Sequence, residues 1–255
     1  MESKILISII IPCYNDAQYI EQSVNSALSQ TYLHKEVIVV DDGSNDETKA
    51  VLKNLAPQIT KLITQENQGQ SNARNAGIKE AKGAYILVLD SDDYFEPTFC
   101  EKAMEVFESR KDVKLISSFV NKLNDGKIID IFKSHGGNIS QFLSNNQATG
   151  GCAFIKSDFE RVNGYDESMR KGFEDWEFYI RLLKDGGEAY VIKEPLFNYR
   201  LRNDSTTSKA NKIKYELLHY IYLKHQVLYK ENYELFITHL LSRIEREEKE
   251  KLKNL

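Results

Sequence analysis

Three groups of side chains in this sequence are charged and closely spaced enough to do chemistry. Asp41-Asp42-Gly43-Ser44-Asn45-Asp46 follows the apolar run 37–40, and Asp90-Ser91-Asp92-Asp93 ends the apolar run 85–89. Glu174-Asp175 opens a segment of helical periodicity that reaches residue 183. Carboxylates crowded at neighbouring strand ends repel one another unless a cation lies between them. A hard divalent ion, Mg²⁺ or Mn²⁺, resolves that conflict and takes phosphate oxygens as further ligands. A separate carboxylate facing a hydroxyl is a general base. The plain alternative is that these acids only cap turns and helices.

Other chemistries lack their signatures. There is no Gly-x-x-x-x-Gly-Lys, and no Gly-x-Gly-x-x-Gly follows the first apolar run. A phosphate group would then be held by metal and arginine rather than by a glycine loop. Arg74 lies in a candidate helix beginning near Gly69, whose N-terminal dipole adds to its charge. Neither Gly-x-Ser-x-Gly nor His-Glu-x-x-His occurs. Cys13 has no histidine near it in sequence and reads as a small packed side chain. His219 and His225 are six apart, off a shared helical face, and read as structural or exposed.

The elements that must position these groups alternate. Residues 5–11 are an apolar, β-branched run, as in a strand covered on both faces. Asn15 and Asp16 can cap a following helix with Ile20, Val24, Ala27 and Leu28 on one side. Strands follow at 37–40, 62–64 and 85–89, with helices between them, the second rich in Ala73, Ala76 and Ala81. This rhythm predicts an α/β fold with a mainly parallel central sheet flanked by helices. Ligands then bind outside the carboxyl ends of the strands, which selects the loops 12–16, 41–46, 65–74 and 90–93. The second half predicts a hairpin of 115–120 with 128–132, short strands at 152–155 and 190–192, and a helix over 174–183. From about Ala210 the chain reads as helical to its end, with an apolar stripe through Ile213, Leu217 and Ile221 and another through Tyr233, Phe236 and Leu240. Pairs Glu245–Lys249 and Glu247–Lys251 mark the last stretch as a solvated helix.

Composition agrees with a globular chain. Of 255 residues 41% are hydrophobic and 28% charged, enough for a sizeable core. Lys plus Arg total 34 and Asp plus Glu 38; without a basic excess a nucleic-acid partner is not expected. Three dispersed cysteines suit a reducing compartment rather than a disulfide framework. No stretch approaches the roughly 18 apolar residues of a membrane span. The expectation is a cytoplasmic protein, with contact at the inner face of the plasma membrane left open.

Taken in order, these motifs resemble a known family. They are Pro12-x-Tyr14-Asn15, Val40-Asp41-Asp42-Gly43-Ser44, Asn67-x-Gly69 to Ala73-Arg74-Asn75 and Leu89-Asp90-Ser91-Asp92-Asp93. Gly164-Tyr165-Asp166-Glu167, Glu174-Asp175-Trp176 and Tyr199-Arg200 follow. Together they are similar to the family 2 glycosyltransferases, over about residues 4–208. The resemblance implies a nucleotide-diphospho-sugar transferase fold of GT-A type and inverting transfer from a nucleotide-diphospho-sugar donor, UDP first, with Mn²⁺ or Mg²⁺. It implies a saccharide or lipid-linked saccharide acceptor, as in bacterial surface polysaccharide synthesis. On the donor side it implies Pro12 and Tyr14 at the base, with Asn15 and Ser91 in the same loops. Asp42 would accept from the base imide, and Arg74 would lie near base and phosphates. Asp92 would be the metal ligand, with Asp90 as a second-shell or ribose partner. Asp175 would be the catalytic base, and Glu174 and Trp176 would line the acceptor side. Residues 199–205 resemble a Tyr-Arg-x-His-x-x-Ser pattern, with Arg202 in place of the histidine. Arginine cannot ligate a metal, so either Arg202 pairs with diphosphate oxygens or the loop differs.

The domain reading is a catalytic body over 1–208, its nucleotide-binding half about 1–95 and its acceptor half about 96–208, with a helical extension over 209–255. That extension can pack on the body, form a homodimer or lie on a membrane. Two rival functions stand beside the transferase. A nucleotidyltransferase needs a basic, glycine-rich grip on a triphosphate, which the loop 12–16 lacks. A non-catalytic nucleotide-sugar-binding or protein-interaction module needs no Glu174-Asp175 pair.

Overall fold

The computed structural model describes residues 5–202 and 205–253. Its elements run β1 (Ile7–Cys13), α1 (Ile20–Leu28), β2 (Lys35–Asp42), α2 (Asp46–Leu55), β3 (Lys61–Gln65), α3 (Gln70–Glu80), β4 (Tyr85–Val88), β5 (Tyr94–Phe95) and α4 (Phe99–Ser109). The second half adds β6 (Val113–Asn124), β7 (Lys127–Phe132), α5 (Ile139–Ser144), β8 (Ala153–Ile155), α6 (Lys156–Arg161), α7 (Glu174–Leu183) and β9 (Glu188–Arg200). The chain ends in α8 (Thr206–Lys212), α9 (Lys214–Lys224), α10 (Gln226–Glu231) and α11 (Tyr233–Lys253).

One sheet runs β3-β2-β1-β4-β8-β6-β9-β5, with β7 hydrogen-bonded to the far end of β6. The first four strands are parallel, as the alternation of strand and helix predicts. Beyond β4 the sheet is mixed: β8 is antiparallel to both neighbours, and β6 and β9 are parallel. Alternate residues of β1 face opposite sides. Ile7, Ile9 and Ile11 join the core beneath α1 and α4; Ile10 joins the core beneath α3 and α7. α3 lies close on the sheet because its contact residue is Gly77. A Cβ there would sit 2.5 Å from Ile10 Cγ2 and 3.0 Å from Val40 Cγ2.

Two expectations change. Neither the Asn15 nor the Asp16 side chain caps α1, which starts four residues later, behind Tyr19; only the Asp16 carbonyl meets its first amide, that of Ile20, at 3.0 Å. Both side chains are used across loops instead. The short strand expected at 190–192 is part of the thirteen-residue β9, whose ladder with β6 extends to Arg200. Pro195 breaks the local strand pattern but sits at a register shift, where the missing N–H does no harm.

The helical extension packs on the body through α9, α10 and the start of α11, and the expected boundary near residue 208 falls inside α8. Leu217, Leu218, Ile221 and Tyr229 are buried, and the rings of Tyr222, Tyr229 and Phe236 meet edge to face. Glu245 pairs with Lys249 as expected, whereas Glu247 accepts from Lys214 (3.0 Å) and Tyr215 (2.6 Å) rather than pairing along the helix with Lys251. Among the described residues no helix is long and apolar enough to cross a membrane.

Two carboxylates clamp the extension. Glu177 of α7 is fully enclosed and meets Arg181 (2.6 Å), Lys224 (2.9 Å) and His225 (3.0 Å). Asp166 meets Lys224 (2.5 Å) and Tyr220 (2.8 Å). Burial alone would raise Glu177, but hydrogen bonds from His225 and Arg181 outweigh it and bring the carboxyl down to about 2. Asp166 is also depressed: against the effect of burial, Lys224, Ser168 and Tyr220 all bond to it. Depressed carboxylates contribute stability that is complete above the unfolded-chain value and is lost as pH falls through it toward the folded one. Urea denaturation should therefore show falling stability between about pH 4.5 and 2. Glu177→Gln should flatten that fall and remove on the order of 2 kcal/mol at pH 7. An unchanged pH dependence in the variant would show that Glu177 is not the clamp.

Candidate active site

The loops at the carboxyl edge of β1, β2 and β4 are stapled to one another. Asn15, in a left-handed conformation at φ 58°, accepts from the Asn45 amide through Oδ1 at 2.7 Å, and its own amide donates to Ser44 Oγ at 3.1 Å. Asp42 accepts from the amides of Gln68 (2.9 Å) and Gly69 (2.8 Å) and from Gln65 Nε2 (2.8 Å). Gly43 makes that approach feasible: its φ is +75°, and a Cβ would stand 2.7 Å from the Asn67 amide nitrogen. Between these loops Tyr14 is 51% exposed, whereas Pro12 is buried in β1 opposite Val40. Cys13 is enclosed, and burial first, then the Asp16 charge, pushes its thiol up to about 12, far from a thiolate at neutral pH.

Four aspartates gather where β4 ends. Asp93 is fully buried and accepts from the Arg200 amide at 2.8 Å. Asp92 Oδ2 accepts from Arg202 at 2.9 Å, and the same Arg202 nitrogen donates to Asp16 Oδ1 at 2.8 Å. Ser91 Oγ donates to the other Asp16 oxygen at 2.5 Å. Burial first, then the charges of Asp90 and Asp16, raises the Asp92 carboxyl; Arg202 opposes the shift. The guanidinium of Arg202 lies over the Tyr19 ring, 5.2 Å from its centroid.

The second acidic group is joined to the first by one side chain. Arg74 of α3 is 2% exposed; it donates from Nη2 to Asp90 Oδ1 (2.7 Å) and from Nη1 to Glu174 Oε1 (2.6 Å). Glu174 also accepts from Gln70 Nε2 at 2.5 Å. Asp175, next in the first turn of α7, is half-buried and accepts from Asn146 Nδ2 at 2.9 Å. Burial is the main cause raising the Asp175 carboxyl, against the pull of Arg74, and Asp90 is near enough to add to the rise. Gly150 lies beside the bridge: a Cβ there would stand at ordinary contact distance, 3.5 Å from Asp90 Oδ2 and 4.0 Å from Arg74 Nη2. The turn that starts α7 is tight, with Phe173 left-handed at φ 63° and Gly172 at φ 115° against Ala210 of α8.

The family model described as glycosyl transferase family 2 matches residues 8–161, more than half of the chain. This chain belongs to glycosyl transferase family 2. A second model, described as the N-terminal domain of galactosyltransferase, matches residues 140–213. TuaG of Bacillus subtilis, named a teichuronic acid biosynthesis glycosyltransferase, is 32% identical over 208 residues, 80% of this chain and 82% of its own. The chondroitin synthase of Pasteurella multocida is 32% identical over 213 residues, 80% of this chain but 21% of that larger protein. Among solved structures, S. aureus TarS residues 1–349 with UDP-GlcNAc superposes with a TM-score of 0.68 at 20% identity, covering 80% of this chain and 61% of that one. The mannosyltransferase PcManGT of Pyrobaculum calidifontis, with GDP-Man and Mn²⁺, superposes at 0.62 and 18%, covering 81% and 60%. The glycosyltransferase thus spans about three fifths of the length of these solved relatives, and its α/β fold is of the GT-A type.

In this glycosyltransferase several of the expected site positions are enclosed. Trp176 does not line an open face: it is 4% exposed and its indole N–H donates to the Phe142 carbonyl at 2.6 Å. Glu174 is likewise enclosed as the counter-ion of Arg74. Arg74 is spent on two carboxylates rather than open to phosphate. Asp42 is 2% exposed and shapes the loop 65–69 rather than facing the cleft. The first turn of a buried helix and the inner side of α3 enclose these groups, which no local pattern announces. Sequence reading missed Asp16, Asn146 and Gln70. Asp16 carried one signal, an acid in the loop after β1. Asn203 and Asp204, part of the Arg202 motif, lie outside the described residues.

At this edge two carboxylate oxygens are open to a cation. Asp92 Oδ1 and Asp90 Oδ2 accept from no described residue, whereas the described residues hold no group of three His, Cys, Asp or Glu side chains that could cage an ion. A separate hollow of about 880 Å³, bordered by Lys79, Lys156, Tyr165 and Lys224, includes none of the acids at β4 and at the start of α7.

Removing Arg74 should leave Glu174 buried without its cation. Arg74→Met is expected to cost roughly 3–5 kcal/mol in urea denaturation, and Glu174→Gln added to it should recover a large part. Additive losses in that double-mutant cycle would show that the two side chains do not depend on each other.

Proposed function

We propose that this glycosyltransferase moves a sugar from a nucleotide-diphospho-sugar, with UDP as the first candidate, to a hydroxyl of a saccharide or lipid-linked saccharide, with inversion, in surface polysaccharide or glycoconjugate synthesis. The observation that carries the reading is the Arg74 bridge, which ties the acids ending β4 to the acids opening α7. The names of TuaG and the chondroitin synthase support the polymer setting, and UDP-GlcNAc in TarS supports the nucleotide class.

On this reading Tyr14, exposed at the edge, stacks on the base. The stapled loops of β1 and β2 shape the base pocket, with Pro12 and Asp42 as its enclosed frame and Asn15 as the staple. Asp92, with Asp90 beside it, would hold Mn²⁺ or Mg²⁺, which would stabilise charge on the departing diphosphate. Ser91 fixes Asp16 and so keeps the β4 turn in register. Asp175 takes the proton of the acceptor hydroxyl as its oxygen attacks the anomeric carbon from the side opposite the diphosphate. Asn146 holds one Asp175 oxygen, which leaves the other for the acceptor. Glu174 neutralises Arg74, so that Arg74 orients Asp90 without attracting Asp175 away from its task.

A thermal-shift panel of nucleotide sugars tests the function: a true donor stabilises the fold by mass action, by about 2.7 kcal/mol at a hundred times Kd, and more with Mn²⁺ than with EDTA. No stabilisation by any uridine, thymidine or guanosine sugar would sink the reading. Asp175→Asn should keep donor affinity and lower kcat by roughly 10²-fold or more. Because burial raises Asp175, kcat should fall on the acid side at an apparent pKa above the ordinary carboxylate value of about 3.9, one that belongs to the Glu174–Asp175 pair. Unchanged turnover in the variant would remove Asp175 from the chemistry.

A further inference from the structure

Two arginines stand on the donor side of the cleft, and they differ in freedom. Arg74 is enclosed and committed to Asp90 and Glu174. The side chain of Arg202 is 36% exposed, and it is this cation that lies between Asp16 and Asp92, at 2.8 and 2.9 Å. It therefore occupies one oxygen of the carboxylate that would hold a metal. Its fork is also the group best shaped to meet a diphosphate in two hydrogen bonds. The perch is built: Ser91 orients Asp16 from the far side at 2.5 Å, and the Tyr19 ring supports the guanidinium from below. Arg200 adds to the same perch, bonding the Asp92 carbonyl and lying 4.9 Å from the Tyr19 ring centroid.

We propose that Arg202 is a resident counter-cation that competes with the divalent ion for Asp92 in the donor-free enzyme and passes to the diphosphate when the donor binds, with Asp16 as its parking partner. The proposal rests on the transferase reading for its ligand. It follows that metal and nucleotide load together. Without a donor, the single charge of Arg202 offsets part of the charge of Asp16 and Asp92 and occupies one Asp92 oxygen, so an incoming ion meets a weaker field and one ligand atom already taken. A diphosphate offers Arg202 two negative oxygens at once, draws it from Asp92, and thereby frees the carboxylate for the ion. Arg202 is then a specificity-determining residue for diphosphate donors, one that a histidine at the same position would replace with a metal ligand.

The test uses the full chain, Arg202→Gln and Arg202→His. Mn²⁺ alone is titrated against each and the free ion is followed by electron paramagnetic resonance. Arg202→Gln should bind Mn²⁺ about ten-fold or more tightly than the parent, because nothing competes for Asp92, and Arg202→His should bind more tightly still. UDP is then titrated by calorimetry in excess EDTA. The parent should retain measurable affinity and both variants should lose about ten-fold of it. Arg202→Lys keeps the charge without the fork and should fall between parent and glutamine variant in both titrations. Equal Mn²⁺ affinity in the parent and Arg202→Gln would overturn the competition. Equal UDP affinity in EDTA, or none in the parent, would overturn the transfer to diphosphate. The Mn²⁺ titration needs neither sugar nor acceptor, so a failure of the transferase reading would leave its outcome legible.

Discussion

A guanidinium buried as deeply as that of Arg74 persists only if its charge is met on the spot. Asp90 and Glu174 meet it, and they come from elements far apart in the chain, the end of β4 and the start of α7. Much of the cleft depends on this arrangement. The inner face of α3 must approach both elements, which Gly77 permits by letting the helix lie on Ile10 and Val40. Loop 145–152 passes beside the pair at Gly150, at ordinary contact distance from Asp90 and Arg74. Asp175 then has no freedom of its own, because the residue before it is tied to Arg74 and its side chain to Asn146.

The second charge problem lies a few ångströms of chain away and is solved differently. Asp16, Asp90, Asp92 and Asp93 converge on the turn after β4. Asp93 is satisfied by the Arg200 amide, Asp90 by Arg74, and Asp16 and Asp92 by Arg202. Two of these solutions are internal, since Asp93 and Arg74 are enclosed. The Arg202 pair is partly open to solvent, and a surface-facing ion pair is weak enough to exchange partners. That contrast in burial separates the two arginines: Arg74 is fixed in the frame of the site, and Arg202 keeps one side toward solvent.

The C-terminal helices belong to the same economy of charge. Glu177, on the turn after the site acids, holds Arg181, Lys224 and His225 around one enclosed carboxylate. Ala210 of α8 meets Gly172, at the bend that starts α7. The extension is therefore a buttress of α7 at its near end, while Leu223, Val227, Tyr233 and Leu241 stay exposed along its outer side.

Strand and helix order in the first half, the four loops at the strand ends and the acids within them were legible in the amino-acid order, because apolar period and turn residues are local properties. The run 5–11 needed only its own composition to become β1, and Asp90 to Asp93 needed only to follow an apolar strand. Burial of a charged group is not local. Nothing near Trp176 or Glu174 in sequence distinguishes a wall of the acceptor cleft from a residue folded behind it, and only the packing of α7 on α5 and α3 decided that. Asp16 looked like a helix cap because capping is a short-range rule; its bonds to Ser91 and Arg202 span 75 and 186 residues. The length of β9 depended on a partner strand, β6, and the perch of Arg202 on loops after β1, β4 and β9 meeting at one edge. Residue types determined which charges the protein carries; the tertiary structure decided which are neutralised from within and which remain for a ligand, since that depends on distance and solvent and not on order along the chain.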